Sequence, residues 1–212
     1  LLIPEMSEAA IKGRKAVVQS ISYRIIKLTS LISIIFSALF LVTGERLGTI
    51  IYKSHEVGFL LRALSPIVPF MYLDAICDGI LKGLDQQKFT FKTSVSDSAI
   101  RIVLILLFLK RWGIYAFIGI MYFSNLLTGT LNIRRLIKAS GLKLNLVQTF
   151  ILPACGAFSL CLGVNLILRS LLNIPNILYT AILCVICLTF YSAYLYALGI
   201  IDYDDISFIK QK

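Results

Sequence analysis

An all-α, polytopic membrane helix bundle with about six transmembrane helices is the fold that this sequence predicts, on three observations. Of its 212 residues, 58% are hydrophobic and only 15% charged, and the mean hydropathy of +0.86 lies far above that of soluble domains. Several apolar runs reach the roughly 20 residues that a helix needs to cross about 30 Å of hydrocarbon. The strand-like alternation of a membrane barrel is absent, so the spans are helices.

The spans are expected at residues 25–43, 57–84, 89–109, 114–136, 146–171 and 177–200, separated by short polar breaks. The second carries Pro66 and Pro69 near its start, and the fifth holds Pro153 with Gly156. Both are expected to bend where proline removes a backbone donor. The last span, LYTAILCVICLTFYSAYLYALG, is apolar on every side, with Tyr191, Tyr194 and Tyr196 toward its inner end, a pattern suited to lipid exposure and interfacial anchoring. Ahead of the first span, PEMSEAAIKGRKAVVQSISYRIIK reads as a surface helix that opens after Pro4. Ile11, Val18, Ile21 and Ile25 form its apolar edge, and Lys12, Arg14 and Lys15 lie off it. The opening Leu1-Leu2-Ile3, without an initiator Met or a basic flank, reads as the end of a truncated upstream span.

Cation placement sets the orientation. One side collects Lys12, Arg14, Lys15, Arg24, Lys27, Lys82, Lys88, Lys92, Arg101, Arg134, Arg135, Lys138, Lys143, Lys210 and Lys212, against only Arg46, Lys53, Arg62, Lys110, Arg111 and Arg169 on the other. The positive-inside rule places the first group, with the C-terminus, in the cytoplasm. The formal charge of +10 then reports orientation and attraction to anionic membrane lipids, and no nucleic-acid partner is expected.

Cys77, Cys155, Cys161, Cys184 and Cys187 all fall within spans, where a thiol is a small apolar residue. The CVIC run from Cys184 has redox-motif spacing without the aqueous βαβ context that such a motif needs. The single His55 lies in an outer segment, and no ligand spacing for a metal or cofactor is present. The outer segments GERLGTIIYKSHE, KRWG and NIPN are too short to build a catalytic site, so an enzyme is not expected.

The candidate functional residues are a charge cluster within the spans. In YLDAICDGILKGLDQQKF, Asp74 and Asp78 stand one helical turn apart, and in TSVSDSAIRIVLILLFL, Asp97 and Arg101 share one face. Counted from the cytoplasmic ends at about 1.5 Å per residue, Asp74 lies roughly 15 Å deep, Asp78 roughly 9 Å, Asp97 roughly 12 Å and Arg101 roughly 18 Å. An ionisable residue there costs about 2.5 to 3.5 kcal/mol to insert and should face a partner inside the bundle. Two readings follow. In one, Asp97 and Asp74 clamp Arg101 while Asp78 meets Lys82. In the other, three acids against one deep base hold a coupling ion, a proton or sodium.

These residues resemble a known family. The run LLRALSPIVPFMYLDAICDGILKGLDQQ resembles a helix of polysaccharide-exporting flippases. The following DSAIRIVLILLFLKRWGIYAFIGIMYFSNLLTGTLNIRRLIK is similar to the next two helices of the stage V sporulation protein B branch, within the multidrug, oligosaccharidyl-lipid and polysaccharide exporter superfamily. The opening PEMSEA resembles the cytoplasmic motif closing the eighth span there, and LGIIDYDDI the acidic tail after the fourteenth. At the position aligned with Asp74 the family more often has an amide, and Lys82 also departs from a frequent amide.

What the resemblance implies is the C-terminal part of a transporter of about fourteen helices that moves a lipid-linked sugar precursor across the bacterial cytoplasmic membrane, together with a missing N-terminal half. It divides the chain into a surface helix (1–24), four spans of the transport lobe (25–138), two accessory spans (139–200) that offer a groove for a lipid tail, and a cytoplasmic tail (201–212). The alternatives are a drug or cation antiporter of the same superfamily, which usually stops after twelve spans, and a non-transporting membrane scaffold.

Overall fold

The computed structural model describes residues 2–142, 144–171 and 175–200. The expected cytoplasmic tail, the LGIIDYDDI resemblance beyond Ile200, Lys143, Lys210, Lys212 and the first half of the NIPN segment lie outside the described residues. Among the described residues the regular structure is entirely helical. Seven helices follow one another: α1 (Leu2–Ile11), α2 (Lys15–Tyr52), α3 (His55–Leu64), α4 (Val68–Gly83), α5 (Gln87–Ser140), α6 (Leu152–Leu171) and α7 (Asn176–Ala197). Among the described residues, five stretches are long and apolar enough to cross a membrane: Lys15–Tyr52, His55–Gly83, Gln87–Ser140, Val147–Ser170 and Asn176–Ala197.

Where helices break, the backbone chemistry says why. The surface helix expected to run on from Pro4 is divided: Gly13 takes φ +66°, and Arg14 N–H returns to Ala9 C=O at 2.9 Å. That bond closes α1 by the left-handed turn that only glycine enters without a Cβ penalty. The expected apolar edge is divided with it, since Ile11 is 87% exposed and Val18 buried. α4 ends the same way, with Asp85 at φ +57° and Gln86 N–H on Leu81 C=O at 2.9 Å.

The expected second span is interrupted at its prolines: a 3-10 turn, Ser65–Ile67, with Pro66 inside it, separates α3 from α4 in the chain. Before α6 the chain widens into a π-turn, Val147–Ile151, closed by Leu152 N–H on Val147 C=O. Pro153, two positions after the turn, has no N–H to give the Thr149 carbonyl, and the wider turn accommodates that loss.

The chain divides into two units, Leu1–Thr29 with Pro69–Leu144, and Ser30–Val68 with Asn145–Lys212. In the first, the long α5 is two helices, because Gly113 (φ +54°, ψ −131°) is not helical. Contacts between its limbs, 87–112 and 114–140, show a hairpin: Arg101 meets Ser124 at 2.6 Å, and Ser124 also meets Asp97. The guanidinium of Arg135 sits 5.2 Å over the Phe89 ring and donates to Gln86 Oε1. Ser7 Oγ donates to Gly83 C=O at 3.0 Å and Gln19 Nε2 to Gly141 C=O at 3.0 Å, which ties α1 and the start of α2 to this unit. Met6, Leu73, Cys77, Leu81 and Leu136 are buried within it.

The second unit has a continuous apolar core of Leu31, Ile35, Ala38 and Leu39 from α2 with Ala157, Cys161, Leu183, Cys187, Tyr191 and Leu195 from α6 and α7. Tyrosines pin its helices. Tyr191 Oη donates to Leu31 C=O at 3.3 Å and Tyr194 Oη to Leu152 C=O at 3.2 Å, while Tyr179 Oη meets Asn165 O and Oδ1, both at 2.9 Å. Tyr191, expected as an interfacial anchor, is instead core; Tyr196 is the one that points out, 74% exposed. The segment after residue 43, expected as an outer one, is also not a loop: α2 continues to Tyr52, and α3 turns back along it after two residues.

Candidate functional site

Three elements of the first unit bring the predicted charges together: α4 and the two limbs of α5. Asp97 and Arg101, four residues apart on the first limb, form an ion pair, with Arg101 Nη2 at 2.7 Å from Asp97 Oδ2. The second limb completes it. Ser124 Oγ accepts from Arg101 Nη2 at 2.6 Å and donates to Asp97 Oδ1, so one hydroxyl bridges both charges. Both Asp97 and Ser124 are buried.

Asp74 does not take part in that pair. Its Oδ1 accepts from Asn132 Nδ2 at 2.7 Å and its Oδ2 from Thr128 Oγ1 at 3.2 Å. Thr128 also lies 3.0 Å from Ser124 C=O, and its single proton serves one acceptor at a time. The clamp expected around Arg101 is thus differently built. Its second partner is a neutral hydroxyl, and among the described residues Asp74 has no ion-pair partner. Asp78 meets Lys82 one turn away, Oδ2 to Nζ at 2.6 Å.

Three polar atoms in this layer are buried without a partner: Asp78 Oδ1, Asn132 Oδ1 and Arg101 Nε. Unsatisfied groups of this kind are costly in a low-dielectric interior: the two oxygens mark where a donor, a proton or a cation would be accommodated, and the Arg101 N–H where an acceptor such as water would. The arrangement therefore has two electrostatic characters. Asp97 and Arg101 neutralise one another, whereas Asp74 is held by neutral donors alone.

Sequence reasoning missed Ser124, Thr128 and Asn132. Their signal was present: in SNLLTGTLN they recur every four residues, a polar stripe on one face of an apolar helix. Among the described residues no group of three His, Cys, Asp or Glu side chains is placed to hold a metal ion. The five cysteines are free thiols, with Cys77, Cys161 and Cys187 buried and Cys155 exposed. Comparison of the chain with protein-family models, with curated proteins and with solved structures gives no match.

Proposed function

We propose that this chain is the C-terminal part of a flippase that carries lipid-linked oligosaccharide, polysaccharide or peptidoglycan precursors across the bacterial cytoplasmic membrane. One observation carries the reading: a layer of ionisable side chains, Asp74, Asp97 and Arg101, inside helices that are otherwise long and apolar enough to cross a membrane. Such residues are costly in lipid and are kept where a transport pathway or its coupling needs them. The ordered resemblance of four sequence stretches to polysaccharide-exporting flippases, the sporulation-protein branch among them, supplies the substrate class. In this reading the turn at Gly113 makes two crossings of α5, whose 54 residues are far too many for one. The crossings then number six, and the C-terminus is cytoplasmic. Asp74, lacking a cationic partner among the described residues, is the group on which a coupling proton or sodium would act.

The test is transport by the full-length protein in proteoliposomes loaded with a fluorescent lipid-linked oligosaccharide, with a membrane-impermeant quencher reporting the outer leaflet. Exchange faster than in protein-free liposomes is expected; equal rates would end the flippase reading. Orientation is tested separately. Glu56→Cys and Ala139→Cys are suited to it, since both positions are exposed. An impermeant maleimide should label the first on intact cells and the second only after permeabilisation, and the reverse pattern would invert the topology.

A further inference from the structure

We propose that the cleft between the end of α4 and the start of α5 binds an anionic phospholipid of the cytoplasmic leaflet, with its phosphate held by Lys82 and Gln87 and its glycerol region by Ser94. The cleft has a volume of about 530 Å³ and is lined by Lys82, Gln87, Thr90, Phe91 and Ser94. One cation, neutral donors and an aromatic ring, with no carboxylate among them, form a wall suited to a phosphate above an acyl chain.

Each side chain has a distinct part. Lys82 is tied to Asp78 at 2.6 Å, yet its side chain is 54% exposed. The ammonium has three protons and the ion pair uses one, so Asp78 fixes the cation at the cleft mouth while the others stay available. Thr90 is fully buried and gives its hydroxyl to Gln87 C=O, so it is wall and not ligand. Phe91 is 70% exposed and Val95, one turn further in, 52%, which leaves apolar surface beneath the polar rim.

Depth fits a membrane lipid better than a free anion. From Gln87 to Ser94 the helix advances about 10 Å, the scale of a headgroup and glycerol region. Lys88 and Lys92, each next in sequence to a lining residue, are exposed and add positive charge at this edge. With Lys82 they outnumber the nearby Asp78 and Asp85, and the excess favours an anionic over a zwitterionic headgroup. The site depends on membrane insertion with this end cytoplasmic; it does not depend on the flippase reading.

Native mass spectrometry of the detergent-solubilised protein with added phosphatidylglycerol or phosphatidylethanolamine tests the site. Wild type should retain phosphatidylglycerol in preference, and Lys82→Gln should lower that retention about fivefold, the effect of one basic residue beside anionic lipid. Because that change also strips Asp78 of its partner, Ser94→Leu, which leaves the ion pair intact, should lower it as well. Lys138→Gln, at an exposed position that does not line the cleft, should not. Equal retention by wild type and both cleft variants, or of both lipids, would overturn the site. Excess inorganic phosphate should leave retention unchanged, and its displacing the lipid would show a free-anion site in place of a lipid site.

Discussion

Arg101→Leu is expected to destabilise the protein by about 3 kcal/mol, and Asp97→Asn combined with it to recover most of that loss. Removing one member of a buried ion pair leaves the other charge in a low-dielectric layer, and that lone charge is the costly species. Asp97 is the more deeply buried partner, its side chain only 10% exposed, so it suffers most when Arg101 is removed. Arg101, at 35%, keeps some solvation, which places the cost toward the lower end of the usual range for broken buried pairs. Ser124→Ala should cost about 1 to 2 kcal/mol, because its hydroxyl serves both charges at once. A double-mutant cycle on thermal or denaturant unfolding in detergent measures the coupling, and additive losses for Asp97→Asn and Arg101→Leu would show that the pair is not an energetic unit.

Asp74→Asn should behave oppositely, staying within about 0.5 kcal/mol of wild type or gaining stability. No cation loses its partner, and an amide at position 74 can still accept from Thr128 or Asn132. It can also donate to Asn132 Oδ1, which is buried without a partner when a carboxylate stands there. A loss comparable to that of Arg101→Leu would mean that Asp74 compensates a charge after all.

The contrast between these carboxylates separates what the sequence made legible from what it did not. Asp97 and Arg101 are four residues apart on one helix, and helical geometry alone brings them together. Asp78 and Lys82 follow the same rule. The partner of Asp74 depends on how α4 and the second limb of α5 are rotated and registered, which no local spacing reveals. Spans were likewise readable from apolar length, but their ends were not. Polar residues from 15 to 24 and from 44 to 52 read as surface or loop, yet they continue α2 because nothing in them stops a helix. The break at Gly13 is the converse case: an amphipathic pattern ran on through a residue whose backbone ends the helix.

The C-terminal end of α2 yields the second large effect. Gly48→Ala should cost about 3 kcal/mol or more, at the upper end of overpacking penalties. A Cβ on Gly48 would lie 2.3 Å from Gly58 N and 2.4 Å from Gly58 Cα, so the obstruction is the backbone of α3 and no rotamer change relieves it. Contact is reciprocal, since a Cβ on Gly58 would stand 2.8 Å from Glu45 Cα, and one on Gly44 would stand 2.9 Å from Arg62 N. Gly44 and Gly48 are thus the two small positions of a G-x-x-x-G face on which α3 lies at backbone distance, the packing that helices use where lipid offers no hydrophobic drive. The Glu45–Arg62 pair across the same seam, at 2.7 Å, is more than half exposed and contributes little beside it. The control is Gly119→Ala, within the second limb of α5, where a Cβ would meet nothing within 4 Å. That change should gain about 0.5 to 1 kcal/mol, because alanine loses less backbone entropy in a helix than glycine does. Unfolding midpoints of the two variants should therefore move in opposite directions. A Gly48→Ala protein as stable as wild type would mean that α2 and α3 do not meet at backbone distance, and the tight α2–α3 hairpin would give way to the loop that the polar sequence first suggests.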